Sequence, residues 1–133
     1  MDARRIYLAG LSNGGRGVSR AAIAGPAGYA GLIFISPVME PEVVLRDDFI
    51  RAWRDRPLLV LHGTGDDRIP LGCVSNTVVS LRAQGLSVTA RYYPGEDHFL
   101  FFSLREKVLE DIAAWLRGPG TRRADSGEGR SGE

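Results

Sequence analysis

A chain of 133 residues with 44% hydrophobic content and a formal net charge of +1 is long enough to bury one core. Its balanced charge gives it no field with which to steer nucleic acid or an anionic membrane surface, so neither is expected as a partner. The longest apolar runs are strand-sized and no charged-then-apolar leader opens the chain, so neither a transmembrane helix nor a signal peptide is expected, and the cytoplasm is the default location.

The first expected strand, Ile6 to Ala9, runs straight into Gly10-Leu11-Ser12-Asn13-Gly14, a G-x-S-x-G pentapeptide followed by a small-residue helical stretch to about Ala24. A serine hydroxyl is a poor nucleophile unless a sharp strand-to-helix turn lifts its oxygen clear of the backbone. So tight a turn leaves no room for side chains two positions either side. Gly10 and Gly14 are therefore expected as steric requirements, with Ser12 at the apex of the elbow. The helix N-terminus aims its amides at the reacting carbonyl, which puts the backbone N–H of Asn13 where it can hold a developing oxyanion. The same pentapeptide also occurs by chance as an ordinary glycine-rich turn; a strand before it and a helix after it favour the nucleophile. Arg16, in the first turn after the serine, reads as an exposed arginine.

Gly25-Pro26 breaks this helix, and Gly31 opens a second strand, Leu32 to Ile35, a continuous apolar run of the kind buried on both faces of a parallel sheet. Ser36-Pro37 ends it. Glu42 to Arg54 reads as one short helix, with Glu40, Glu42, Asp47 and Asp48 in solvent and Trp53 packing. The third strand, Pro57 to Leu61, leads to His62-Gly63-Thr64-Gly65-Asp66-Asp67-Arg68-Ile69-Pro70, a loop of turn residues presenting carboxylates where an orienting acid belongs. Val74, Val78 and Leu81 make an apolar stripe on a helix that Gly85 closes. The lone Cys73 is expected there as a small buried hydrophobe. With no second cysteine or histidine at ligand spacing it offers neither a disulfide nor a zinc site, and no metal or organic cofactor is expected.

The fourth strand, Leu86 to Tyr93, ends in Pro94-Gly95-Glu96-Asp97-His98, which carries one imidazole to the same edge of the sheet and makes His98 the general-base candidate. Tyr92, Tyr93, Phe99, Phe101 and Phe102 are expected to build core around this loop, with Phe99 within reach of an acyl chain. In the last helix Ser103 and Glu106 match a capping box, Leu104, Val108, Ile112 and Trp115 share an apolar face, and Gly118 is the stop. Beyond it, residues 119–133 read as a disordered tail, since Thr121 to Glu133 carry nothing apolar larger than Ala124. Strand–helix alternation of this length predicts an α/β fold with a parallel sheet and helices on both faces.

Nucleophile, acid and histidine thus follow in the order Ser12, then Asp66 or its neighbour Asp67, then His98, each at the C-terminal end of an expected strand. The elbow, the H-G-T-x-D loop and the G-x-x-H loop together resemble the C-terminal half of an α/β-hydrolase, from about Arg5 to Arg117. The resemblance implies that residues 1–118 are the C-terminal part of such a domain, with about four parallel strands, flanking helices and the N-terminal strands absent. It assigns the acid to Asp66, leaves Asp67 to cap the following turn, and places the base last, so that His62 hydrogen-bonds to loop backbone.

The chemistry it implies is that of a serine hydrolase working through an acyl-enzyme with a Ser12–Asp66–His98 triad. The stretch from Pro37 to Arg56 is too short for a large lid domain, which suits small acyl esters or thioesters. The resemblance is to carboxylesterases, thioesterases and dienelactone-hydrolase-like enzymes. Two other readings stay open: a prolyl-oligopeptidase-like serine peptidase fragment, because H-G-T-x-D-D also resembles that group, and a non-catalytic fragment that pairs through its edge strand. In a complete relative, about four further strands precede the elbow, and a loop among them supplies a second oxyanion amide. The elbow strand is therefore expected as a bare edge, open to self-association or to a complementing chain, and the turnover of the chain alone as impaired.

Overall fold

The computed structural model of the chain describes residues 6–118; the tail expected over 119–133 lies outside them. Strand and helix alternate as β1 (Tyr7–Leu11), α1 (Gly14–Ala24), β2 (Gly31–Ile35), α2 (Pro41–Val44), α3 (Asp47–Trp53), β3 (Leu58–Gly63), α4 (Leu71–Ala83), β4 (Val88–Tyr93), α5 (Leu100–Ser103) and α6 (Arg105–Arg117). The strands pair in parallel in the order β1-β2-β3-β4. Parallel neighbours need crossovers, and each crossover here carries helix, so all four strands end at one edge of the sheet.

Because successive strand residues point to opposite faces, the sheet divides the interior in two. Leu32, Phe34, Leu58, Val60 and Val88 pack on one face against Val18 and Ala22 of α1, Val44 of α2, Phe49, Ile50 and Trp53 of α3, and Val74, Val78 and Leu81 of α4. Ile33, Ile35, Leu59, Leu61 and Tyr93 pack on the other face against Leu100, Val108 and Trp115 of α5 and α6. β2 and β3 are buried along their whole length, as their unbroken apolar runs predict. Among the described residues β1 is an edge, and Ala9 and Leu11 on it are exposed. Two side-chain bonds reinforce this packing: Trp53 Nε1–H of α3 donates to Ala22 O of α1 at 3.1 Å within one helix layer, and Tyr93 OH of β4 donates to Asp111 Oδ2 of α6 at 2.7 Å, tying the sheet to the other.

Several expectations are corrected. The helix expected over Glu42 to Arg54 is two helices, because Arg46 is extended (φ −71, ψ 149) and its guanidinium bridges back to Asp48 at 3.1 and 2.9 Å. The break lets Val44 and Phe49 both reach the core. Glu40 is buried, not solvated: Arg20 of α1 grips both of its oxygens at 3.2 and 3.0 Å. The capping box at Ser103 does not form, since Ser103 closes α5 and Leu104 takes the N-cap position of α6. Cys73 is exposed, because α4 turns Val74, Thr77, Val78 and Leu81 inward instead. Phe99 and Phe102 are exposed at 47% and 63%, while Tyr93 is buried.

The elbow is where the chain is most constrained. Ser12 sits at φ 56, in the left-handed region that costs a non-glycine residue about 1–2 kcal/mol. It is held there by its N–H on Ile35 O at 2.9 Å and by its own carbonyl, which accepts from Gly15 N at 2.9 Å and Val38 N at 3.0 Å. Gly10 is a steric requirement: a Cβ there would run into Gly14 O and lie 2.6 Å from Val18 Cγ2. Gly14 is not, for a Cβ there meets nothing within 4 Å among the described residues. The second crowded position is Gly15, whose Cβ would lie 2.7 Å from Val38 O and 3.1 Å from Pro37 Cβ. Gly10→Ala and Gly15→Ala are each expected to cost about 1–3 kcal/mol in denaturant melts, from overpacking. Gly14→Ala is expected to leave stability level or raise it by up to about 1 kcal/mol; a loss at Gly14 equal to that at Gly10 would contradict this assignment.

Candidate active site

Three connections meet at the carboxyl edge of the sheet: β1 delivers Ser12, the loop after β3 delivers Asp66, and the turn after β4 delivers His98. Ser12 Oγ lies 2.7 Å from His98 Nε2, and His98 Nδ1 lies 2.9 Å from Asp66 Oδ2. The three side chains singled out in the sequence therefore form one hydrogen-bonded series. Asp67 is exposed and makes no hydrogen bond or ion pair to His98 among the described residues.

Glycines allow the acid and histidine loops to touch through their backbones. A Cβ at Gly63 would lie 2.6 Å from Glu96 C, and one at Gly65 would lie 3.0 Å from Gly95 O. In the space left free, Gly65 N–H donates to Glu96 O at 2.9 Å, Thr64 N–H to Tyr93 O at 3.0 Å, and Gly95 N–H to Thr64 Oγ1 at 2.8 Å. Asp97 Oδ1 accepts from Phe99 N–H at 2.9 Å and shapes the turn that carries His98.

Asp66 does two things at once. Its Oδ2 faces His98, while its Oδ1 accepts from Arg68 N–H at 2.9 Å and Ile69 N–H at 2.8 Å. The turn-capping role expected of Asp67 thus belongs to Asp66 itself. Burial pushes the Asp66 carboxyl up, but the hydrogen bonds from Ile69 N–H, His98 and Arg68 N–H outweigh burial and hold it below the usual carboxylate range. An ionised carboxylate on Nδ1 keeps the proton there and leaves Nε2 free to accept from the serine hydroxyl.

His62 has the backbone partner expected of it: its Nε2 lies 2.8 Å from Ile69 O. It is completely buried, and that burial lowers its pKa and keeps the ring neutral. Asn13 is the N-cap of α1, and its N–H has no hydrogen-bond acceptor among the described residues. At the exposed rim Phe99 stands edge-on to His98, with 5.9 Å between ring centroids, and the Arg68 guanidinium lies 4.7 Å over the Phe99 ring. Arg16 is exposed, as expected, with Nη1 3.8 Å from Glu40.

Three features carried no sequence signal. The Arg20–Glu40 clamp joins residues 20 apart with no shared periodicity. Ser36 adopts a second left-handed conformation (φ 46), is fully buried, and its Oγ has no partner among the described residues. The dual role of Asp66 depends on how the loop folds back. Among the described residues no cluster of three or more His, Cys, Asp or Glu could hold a metal ion, and no helix is long and apolar enough to cross a membrane. Chemically, the arrangement offers a hydroxyl that can lose its proton to an adjacent imidazole, a carboxylate that stabilises the imidazolium, and, at Asn13, a backbone N–H without an acceptor among the described residues.

Comparison with known structures agrees with this architecture. A thermostable esterase superposes with a TM-score of 0.67 at 23% identity, over 88% of this chain and 31% of its own. A thermophilic esterase from the planctomycete Thermogutta terrifontis gives 0.65 at 21%, over 93% of this chain and 59% of its own. The acylaminoacyl peptidase of Pyrococcus horikoshii gives 0.69 at 14%, over 96% and 26%. At these identities the likeness establishes the fold, that of an α/β-hydrolase, of which this chain spans 26% to 59% of the three neighbours' lengths. Residues 46–118 match the model of the prolyl oligopeptidase family; the matched stretch holds Asp66 and His98, with Ser12 before it. With more than half of its 133 residues in that match and its four parallel strands in the α/β-hydrolase arrangement, the chain belongs to the prolyl oligopeptidase family of serine hydrolases.

Proposed function

We propose that this chain carries the nucleophile, base and acid of a hydrolase acting on small, accessible acyl esters or thioesters. The observation that carries the proposal is the Ser12 Oγ–His98 Nε2–Nδ1–Asp66 Oδ2 series at 2.7 and 2.9 Å. His98 Nε2 takes the proton as Ser12 Oγ attacks the acyl carbonyl, Asp66 holds the Nδ1–H tautomer, and Asn13 N–H receives the oxyanion. His98 then returns the proton to the leaving alkoxide or thiolate, and water, activated by the same imidazole, releases the acid from the acyl-enzyme.

Small substrates are favoured because the segment after β2 folds into the core rather than over the site: Val44, Phe49, Ile50 and Trp53 are all buried. The Thermogutta terrifontis esterase, moreover, was solved with propionate bound. A second reading, hydrolysis of an aminoacyl or peptide amide by the same residues, is favoured by the family match over residues 46–118. Asn13 N–H is the one oxyanion donor assigned here, and loss of a single donor elsewhere costs about a hundred- to a thousandfold in turnover. The activity of this chain alone is placed correspondingly low, and its location in the cytoplasm. Along its outer edge β1 offers backbone groups to a further strand, from a second copy or a complementing chain.

Purified protein is expected to hydrolyse p-nitrophenyl acetate faster than a peptidyl p-nitroanilide; the opposite ranking would favour the amide reading. Ser12→Ala should abolish the esterase rate, Asp66→Asn should lower it about ten-thousandfold, and Asp67→Asn should cost far less. A greater loss at Asp67 than at Asp66 would move the acid to its neighbour. Size-exclusion chromatography with light scattering should give species larger than the 14.5 kDa monomer, and a stable monomer would contradict pairing through β1.

A further inference from the structure

We propose that His62 is a positioning residue for the acid, fixing Asp66 through Ile69; this rests on the reading of Ser12, His98 and Asp66 as the catalytic group. His62 lies next to the end of β3, a strand paired on both sides and buried throughout, and its own side chain is fully buried. The Asp66 loop, by contrast, is irregular, with Thr64, Gly65, Asp67 and Arg68 exposed. A loop of that kind needs an anchor if its carboxylate is to stay within a fraction of an ångström of His98.

His62 provides that anchor from the rigid side. A carbonyl oxygen only accepts, so the 2.8 Å contact with Ile69 O puts the His62 proton on Nε2. Ile69 is then held at both ends, its carbonyl by His62 and its amide by Asp66 Oδ1 at 2.8 Å. The same Nε2 lies 3.6 Å from Asp66 Oδ2, the oxygen that faces His98. A continuous set of contacts therefore runs from the sheet through His62, Ile69, Asp66 and His98 to Ser12. An apolar side chain of similar size could fill the same space, but it would leave Ile69 O without this donor and the Ile69 end of the loop without its tie to β3.

Position-specific rescue tests this. The amide nitrogen of Gln reaches roughly where Nε2 sits, that of Asn stops near Nδ1, and Leu has none. For ester hydrolysis, His62→Leu and His62→Asn are expected to lower kcat about ten- to a hundredfold with KM little changed, and His62→Gln to restore most of it. Added to Asp66→Asn, His62→Leu should cost almost nothing more, since it acts through that carboxylate. Independently of turnover, hydrogen exchange at the Arg68 and Ile69 amides should accelerate at least about tenfold in His62→Leu and stay near the parent rate in His62→Gln. Unchanged exchange in His62→Leu, or a rate loss that persists in full on the Asp66→Asn background, would overturn the proposal. If exchange responds as expected while Ser12→Ala and Asp66→Asn leave hydrolysis untouched, the anchoring of Asp66 stands and the catalytic reading falls.

Discussion

Keeping a charged carboxylate out of water is the constraint on which this site turns. An unpaired buried anion costs several kcal/mol or more, so Asp66 is tolerable only because three donors reach it: Arg68 N–H, Ile69 N–H and His98 Nδ1–H. The first two require residues 66–69 to fold back on themselves. The third requires the loop after β4 to lie against the loop after β3, which bare Cα atoms at Gly63 and Gly65 permit. The same hydrogen bonds that offset the desolvation also set the orientation of the imidazole, so the solution to the burial problem and the geometry at Ser12 are one arrangement.

The serine end is organised differently, by strain rather than charge. Ser12 and Ser36 both occupy left-handed backbone at the ends of adjacent strands, with φ of 56 and 46. Such conformations persist only where the surroundings over-determine them. Here the determination is mutual: Ser12 N–H is bonded to Ile35 O, and Val38 N–H to Ser12 O, so the turn after β1 and the turn after β2 brace each other. Glu40, gripped by Arg20, fixes the second of these turns onto α1. The position of Ser12 is thus shared between the elbow and a segment more than twenty residues further on.

That division explains what was legible in the residues and what was not. β2 and β3 could be read because a strand buried on both faces is an unbroken apolar run, and the end of α4 because Gly85, at φ 92, supplies a left-handed stop. Ser12, Asp66 and His98 could be read because each sits in a short motif at a strand end. Gly15 could not be told from Gly14, because its crowding comes from Pro37 and Val38, remote in sequence. Asp66 takes the capping role assigned to Asp67 because the loop's fold, and not the order of two adjacent carboxylates, decides which oxygen meets the amides. Glu40 looked like a solvated charge for want of any periodicity linking it to Arg20, and Ser103 looked like a cap because its spacing from Glu106 is right although α5 already contains it.

The chain belongs to the prolyl oligopeptidase family of serine hydrolases, and the proposal made above assigns such chemistry to Ser12, His98 and Asp66. The most direct measurement is covalent: reaction with a fluorophosphonate probe, followed by tandem mass spectrometry of the peptides. The Ser12–His98–Asp66 arrangement predicts one adduct per chain, on Ser12, with labelling lost in His98→Ala. No adduct, or an adduct on another serine such as Ser36, would contradict it.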